Sequence, residues 1–115
     1  MKDRDDIARL EDMIKAINKI KKYTDDIYFD EFEKNELIQD AVFKNFEIIG
    51  EAAYKVSKRT KQSFELIEWR NIEALRHKLV HDYYEIDLKI VWNTKEKRLP
   101  ELSGLIVKLL KKLNA

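Results

Sequence analysis

An all-α, up-and-down bundle of four to five helices is the fold class this chain predicts, on three observations. Two Gly and one Pro in 115 residues leave little turn-forming material for many short strands. Apolar residues recur at three- and four-residue steps over long stretches, the period of an amphipathic helix. Apolar residues make up 44% and charged residues 39%, the balance of a packed core inside a heavily solvated exterior. The length suits one domain spanning residues 1–115, large enough for a core and too small for two.

The first helix is expected from about Asp3 to Thr24, where Ile7, Leu10, Ile14, Ile17 and Ile20 form one apolar stripe. Asp3, Asp5 and Asp6 sit where the helix dipole favours negative charge, and Thr24-Asp25-Asp26 reads as a stop. A short turn or helix follows over Asp30–Lys34. The second long helix covers about Asn35 to Arg59. Its apolar positions, among them Leu37, Ile38, Val42, Ile49, Ala53 and Val56, spread over more than one stripe. A helix apolar around much of its girth is either central or meets a second subunit. Gly50 within it costs roughly 1 kcal/mol relative to Ala, and close helix approach is a return for that cost. A break is expected over Thr60–Phe64, with Ser63 as a candidate N-cap. The third helix then runs from about Phe64 or Glu65 to Val80. The last region starts at an Asp87 N-cap and is helical onward, with a kink or fresh start near Leu99 forced by Pro100.

Composition narrows the function. The absence of cysteine excludes disulfides and thiol chemistry. The opening Met1-Lys2-Asp3-Arg4-Asp5-Asp6 has no signal-peptide pattern, and no apolar run is long enough to span a bilayer, so a cytoplasmic protein without membrane contact is expected. With 23 basic and 22 acidic residues the chain lacks the excess of positive charge common in nucleic-acid binders. Bases do gather at Lys19–Lys22, Lys55–Lys61, Lys95–Arg98 and Lys108–Lys112, which are solvated helix faces or a local basic surface.

The segment Arg76-His77-Lys78-Leu79-Val80-His81-Asp82-Tyr83 carries the chemistry. The planar guanidinium of an arginine holds a phosphate in a fixed fork. Histidine, with an unperturbed pKa of about 6.5, gives and takes protons near neutral pH. Together they form a minimal kit for phosphodiester cleavage, with Arg76 as phosphate clamp and His81 as general acid/base. His77, Lys78 and Asp82 are candidates for positioning substrate. Each helical residue turns about 100°, so on one regular helix Arg76 and His81 point about 140° apart. Either the helix ends before His81, or the site combines residues of two subunits.

This pattern, R-x4-H-x-Y, is the hallmark of the HEPN ribonucleases, and its setting resembles their HepT-like branch (DUF86 family). Ala41-Val42-Phe43-Lys44-Asn45-Phe46-Glu47-Ile48-Ile49-Gly50-Glu51-Ala52 resembles the A-V-x-R-N-x-E-I-I-G-E-A helix of that family. Trp69-Arg70-Asn71-Ile72 resembles its W-R-x-I run, and Ile90-Val91-Trp92 and Leu99-Pro100-Glu101-Leu102 fall in register. Two positions depart: His77 replaces a common Asn, and Lys44 a common Arg. The resemblance implies the toxin of a HepT/MntA-like, type VII toxin–antitoxin system. It would be a metal-independent endoribonuclease acting on RNA such as tRNA or mRNA, with no cofactor. It also implies a homodimer whose two motif segments face each other. The partner would be a nucleotidyltransferase antitoxin (MNT/MntA-like) that transfers AMP to Tyr83, adding bulk and negative charge where an RNA phosphate must sit.

Other readings stand beside these. Arg76 could pair with Glu73 at the surface while His81 caps a helix end. Tyr83 could be a packed structural residue. His77 and His81, four apart, could grip a metal with Asp82, Glu73 or Glu85. The whole chain could be a catalytically inactive helical dimer acting as an interaction module. Lys78, Lys44, Arg70 and Lys22 are candidates for an RNA path that periodicity cannot rank.

Overall fold

The computed structural model describes residues 2–115, and all of their side chains except those of Lys2, Asp3 and Tyr83. Four long helices form the body: α1 (Lys2–Thr24), α3 (Glu36–Lys55), α5 (Trp69–His81) and α6 (Leu88–Asn114). Two six-residue helices, α2 (Phe29–Lys34) and α4 (Lys58–Ser63), and a 3-10 turn over Tyr83–Glu85 link them. There is no strand among the described residues. The all-α expectation holds, with six helices among the described residues, four of them long.

The extra helix arises where the expected Asn35–Arg59 helix divides. Helix α3 starts where predicted, with the Asn35 side chain accepting from the Ile38 N–H at 3.1 Å, but it ends at Lys55. Ser57 then caps a new helix, its Oγ accepting from the Thr60 N–H at 3.3 Å. The same hydroxyl donates to Asp6 Oδ2 at 2.6 Å, and the Ser57 N–H donates to Asp6 Oδ1 at 2.8 Å. Thr60 Oγ1 donates to Asp6 as well, at 2.5 Å. A carboxylate from the start of α1 thus organises the α3–α4 junction 51 residues away, a partner that local sequence cannot reveal. Burial alone would push the Asp6 carboxyl up. The Ser57 and Thr60 hydroxyls, the Ser57 N–H and the nearby Arg59 charge outweigh it, and the group sits below the usual carboxylate range.

Three further expectations need correction. Ser63 is the last residue of α4, not an N-cap, and its hydroxyl donates to the Thr60 carbonyl at 2.7 Å. Helix α5 starts at Trp69 rather than Phe64 or Glu65, because the Trp69 indole N–H reaches back to the Phe64 carbonyl at 3.2 Å and holds the intervening segment as a loop. Pro100 does not divide α6, which runs through it without a fresh start. Asp87 does cap it, accepting from the Lys89 N–H at 2.9 Å.

Helix α3 is central, packing against α1, α2 and α5. Val42, Phe43, Phe46, Ile49, Ala52 and Ala53 are all buried. Its broad apolar girth is therefore largely consumed within the chain, leaving Leu37 and Tyr54 as its exposed large apolar side chains. On α1 the buried line runs Leu10, Met13, Ile17 and Ile20, with Ile7 and Ile14 only partly covered. Among the described residues no helix is long and apolar enough to cross a membrane.

Candidate active site

Helix α5 lies across α3 at an unusually close approach, and Gly50 permits it. A Cβ placed on Gly50 would lie 2.2 Å from Arg76 Cβ and 2.8 Å from its Cγ, separations no folded protein accommodates. The root of the Arg76 side chain therefore rests directly on the α3 backbone. Its tip meets the next α3 residue: Nη2 of Arg76 stands 2.8 Å from Oε2 of Glu51. The other oxygen of the same carboxylate, Oε1, lies 3.5 Å from Nζ of Lys55. The alternative surface pairing of Arg76 with Glu73 does not form; Glu73 faces Lys61 at 3.4 Å.

Arg76 opens onto a groove of about 330 Å³ between α1, α3 and α5, with Arg9, Asp12, Lys44, Glu47 and Val80 among its walls. Four basic and three acidic side chains line it, a small excess of positive charge. Of the four basic residues considered for an RNA path, Lys44 shares this groove. Lys78 is exposed on α5 and Lys22 near the end of α1. Arg70 belongs to a different depression, beside Lys61 and Gln62.

His81 is the last residue of α5, and the cap is Asp82, whose N–H donates to the Lys78 carbonyl at 2.8 Å. His81 is exposed, and its ring lies against that of His77, 4.3 Å between centroids and tilted by 45°. The helix thus persists through both motif residues. Arg76 looks into the groove while His81 stands at the helix end, five positions on and turned by about 140°. Within one chain the two do not converge. Among the described residues no group of three His, Cys, Asp or Glu side chains gathers as a metal site would require. The Tyr83 side chain lies outside the described ones.

A family model described as ribonuclease HepT-like matches residues 13–109. The chain belongs to the HepT-like ribonuclease family. It is 36% identical over 102 residues to "Probable ribonuclease HepT" of Thermococcus cleftensis, covering 89% of this chain and 93% of that one. Two proteins of Methanocaldococcus jannaschii bearing the name "Putative RNase", MJ0125 and MJ1216, are also similar. MJ0125 is 33% identical, covering 98% of this chain and 97% of its own. MJ1216 is 32% identical, covering 96% and 92%. No solved structure matches. In this HepT-like chain, motif reasoning singled out Arg76 and His81 as candidates but not Glu51, Lys55 and Arg9, which line the same groove as Arg76. The available signal was Gly50, a glycine inside a helix that marks where another backbone or side-chain root comes close.

Proposed function

We propose that this HepT-like protein is a metal-independent endoribonuclease and the toxin of a HepT/MntA-like toxin–antitoxin pair. The observation that carries the reading is the placement of Arg76 and His81 on one regular helix, α5, with their side chains directed apart. A second copy with its motif segment facing the first brings an arginine of one protomer to a histidine of the other. One imidazole takes the proton of the ribose 2′-OH, O2′ bonds to phosphorus, and the P–O5′ bond breaks. The second imidazole, protonated, delivers its proton to the leaving 5′-oxygen. The products are a 2′,3′-cyclic phosphate and a 5′-hydroxyl. The two Arg76 guanidiniums stabilise the charge of the phosphorane. His77, Lys78 and Asp82 flank His81 and assist in placing the strand. The nucleotidyltransferase antitoxin blocks the site by AMP transfer to Tyr83, its phosphodiester competing by charge and bulk with RNA.

The test is RNA cleavage in EDTA by the wild type, Arg76→Ala and His81→Ala, and by the two variants mixed and refolded together. Cleavage by the wild type, none by either variant alone, and little recovery in the mixture, whose mixed dimer keeps one imidazole and one guanidinium, supports a site that needs both copies of each. Equal cleavage by all of them removes these residues from the mechanism. An unmodified, dimeric wild type that cleaves no RNA makes the protein an interaction module.

A further inference from the structure

The Arg76 side chain is held at both ends by consecutive residues of α3. Its Cβ sits where a Gly50 Cβ would stand, and its Nη2 binds Glu51 Oε2 at 2.8 Å. Glu51 is itself steadied from the opposite side by Lys55, one turn further along the same helix, at 3.5 Å. The Arg76 and Glu51 side chains are 39% and 42% exposed, and a pair so wet adds little to stability. Its consequence is conformational: a long side chain with many rotamers is restricted to one that faces the groove. An arginine has five N–H donors in a rigid fork, so one ion-pair contact with Glu51 leaves donors over for a phosphate.

We infer that Glu51 is a positioning residue for Arg76, a carboxylate that fixes the guanidinium in its phosphate-binding orientation, with Lys55 restraining Glu51 in turn. The inference rests on the nuclease reading above for its catalytic consequence, and on the ion pair alone for its structural one. A misplaced clamp lowers turnover by up to about a hundredfold even when its chemistry is intact.

Two measurements on the full-length protein test it separately. The first is NMR of nitrogen-15 arginine-labelled protein, with the Arg76 guanidinium signals identified by their loss in Arg76→Ala. Restricted, individually resolved Nη signals are expected in the wild type, collapsed signals in Glu51→Ala, and partial retention in Glu51→Gln, which keeps an acceptor oxygen. The second is RNA cleavage kinetics, where Glu51→Ala should lower kcat by roughly tenfold to a hundredfold while KM and melting temperature hardly move, and Glu51→Gln should recover part of the rate. Unchanged Arg76 signals in Glu51→Ala overturn the inference whatever the RNA does. Cleavage by Glu51→Ala as fast as wild type or faster overturns it too, because the carboxylate would then be a competitor of the substrate phosphate. If the wild type cleaves no RNA yet the Arg76 signals collapse in Glu51→Ala, the positioning contact stands and the nuclease reading fails alone.

Discussion

Gly50 and Arg76 occupy the same few ångströms where α3 and α5 cross: an added Cβ on the glycine would lie 2.2 Å from the Cβ of the arginine. The atom in the way is the root of a side chain, fixed to its helix, so a rotamer change cannot clear it. The helix would have to shift.

Gly50→Ala is therefore expected to destabilise. Overpacking costs about 1–3 kcal/mol, against which the better helix propensity of Ala returns roughly 1 kcal/mol. Gly104, on α6, is the control, because a Cβ there meets none of the described residues within 4 Å. Gly104→Ala should stabilise by about 0.5–1 kcal/mol. Urea unfolding of both variants checks the pair, and similar shifts in both would show that the crossing is looser than described.

Arg76→Lys keeps a positive charge but loses the planar fork that grips a phosphate. Its RNA cleavage is expected to fall nearly as far as that of Arg76→Ala, and His81→Ala to lose about 10²–10⁴-fold. Melting temperatures should move little, since His81 is exposed and Arg76 partly so. A Lys variant with near wild-type turnover would mean that charge alone suffices.

The buried Asp6 carboxylate predicts an acid-labile fold. Its pKa is lowered in the native state, so the stabilisation is complete above the unfolded value of about 3.9 and disappears as pH falls through the native one. Asp6→Asn should lose about 1–3 kcal/mol near neutral pH and show a flatter stability curve below about pH 4. Denaturant titrations from pH 7 to pH 3 on both proteins provide the comparison; parallel curves would remove Asp6 from the acid response.

Asn45 offers a test in the opposite direction. It is buried on α3 and its Nδ2 donates to the Ala41 carbonyl at 2.8 Å, while Oδ1 is buried with no partner among the described residues. An unsatisfied buried acceptor costs about 1–3 kcal/mol, so Asn45→Leu should leave stability unchanged or raise it. A large loss of stability by calorimetry would show that the carbonyl is satisfied, for instance by a bound water.

Tyr83→Phe removes the hydroxyl that would accept AMP. Co-expression with a cognate nucleotidyltransferase should add the mass of AMP to the wild type and not to the variant, and the variant should keep cleaving RNA. An equal mass gain in both would move the modification to another residue.

The helical class, the ends of α1, the start of α3 near Asn35, the Asp87 cap, and Arg76 and His81 as candidates were all legible in the sequence. Each depends on near neighbours: apolar periodicity, a side chain three residues or fewer from the N–H it caps, or a fixed motif spacing. The break at Val56–Ser57 was not legible, because Asp6 makes it from the far end of the chain. Neither was the partner of Arg76. Periodicity offered Glu73, three positions away on the same helix, and the tertiary structure chose Glu51, since the crossing at Gly50 brings α3 under the guanidinium. The apolar breadth of α3 left open whether the helix was central or met another subunit, and packing by α1, α2 and α5 shows that most of it is interior. Local chemistry singled out the candidate residues; only the crossing of two helices decided how one of them is held.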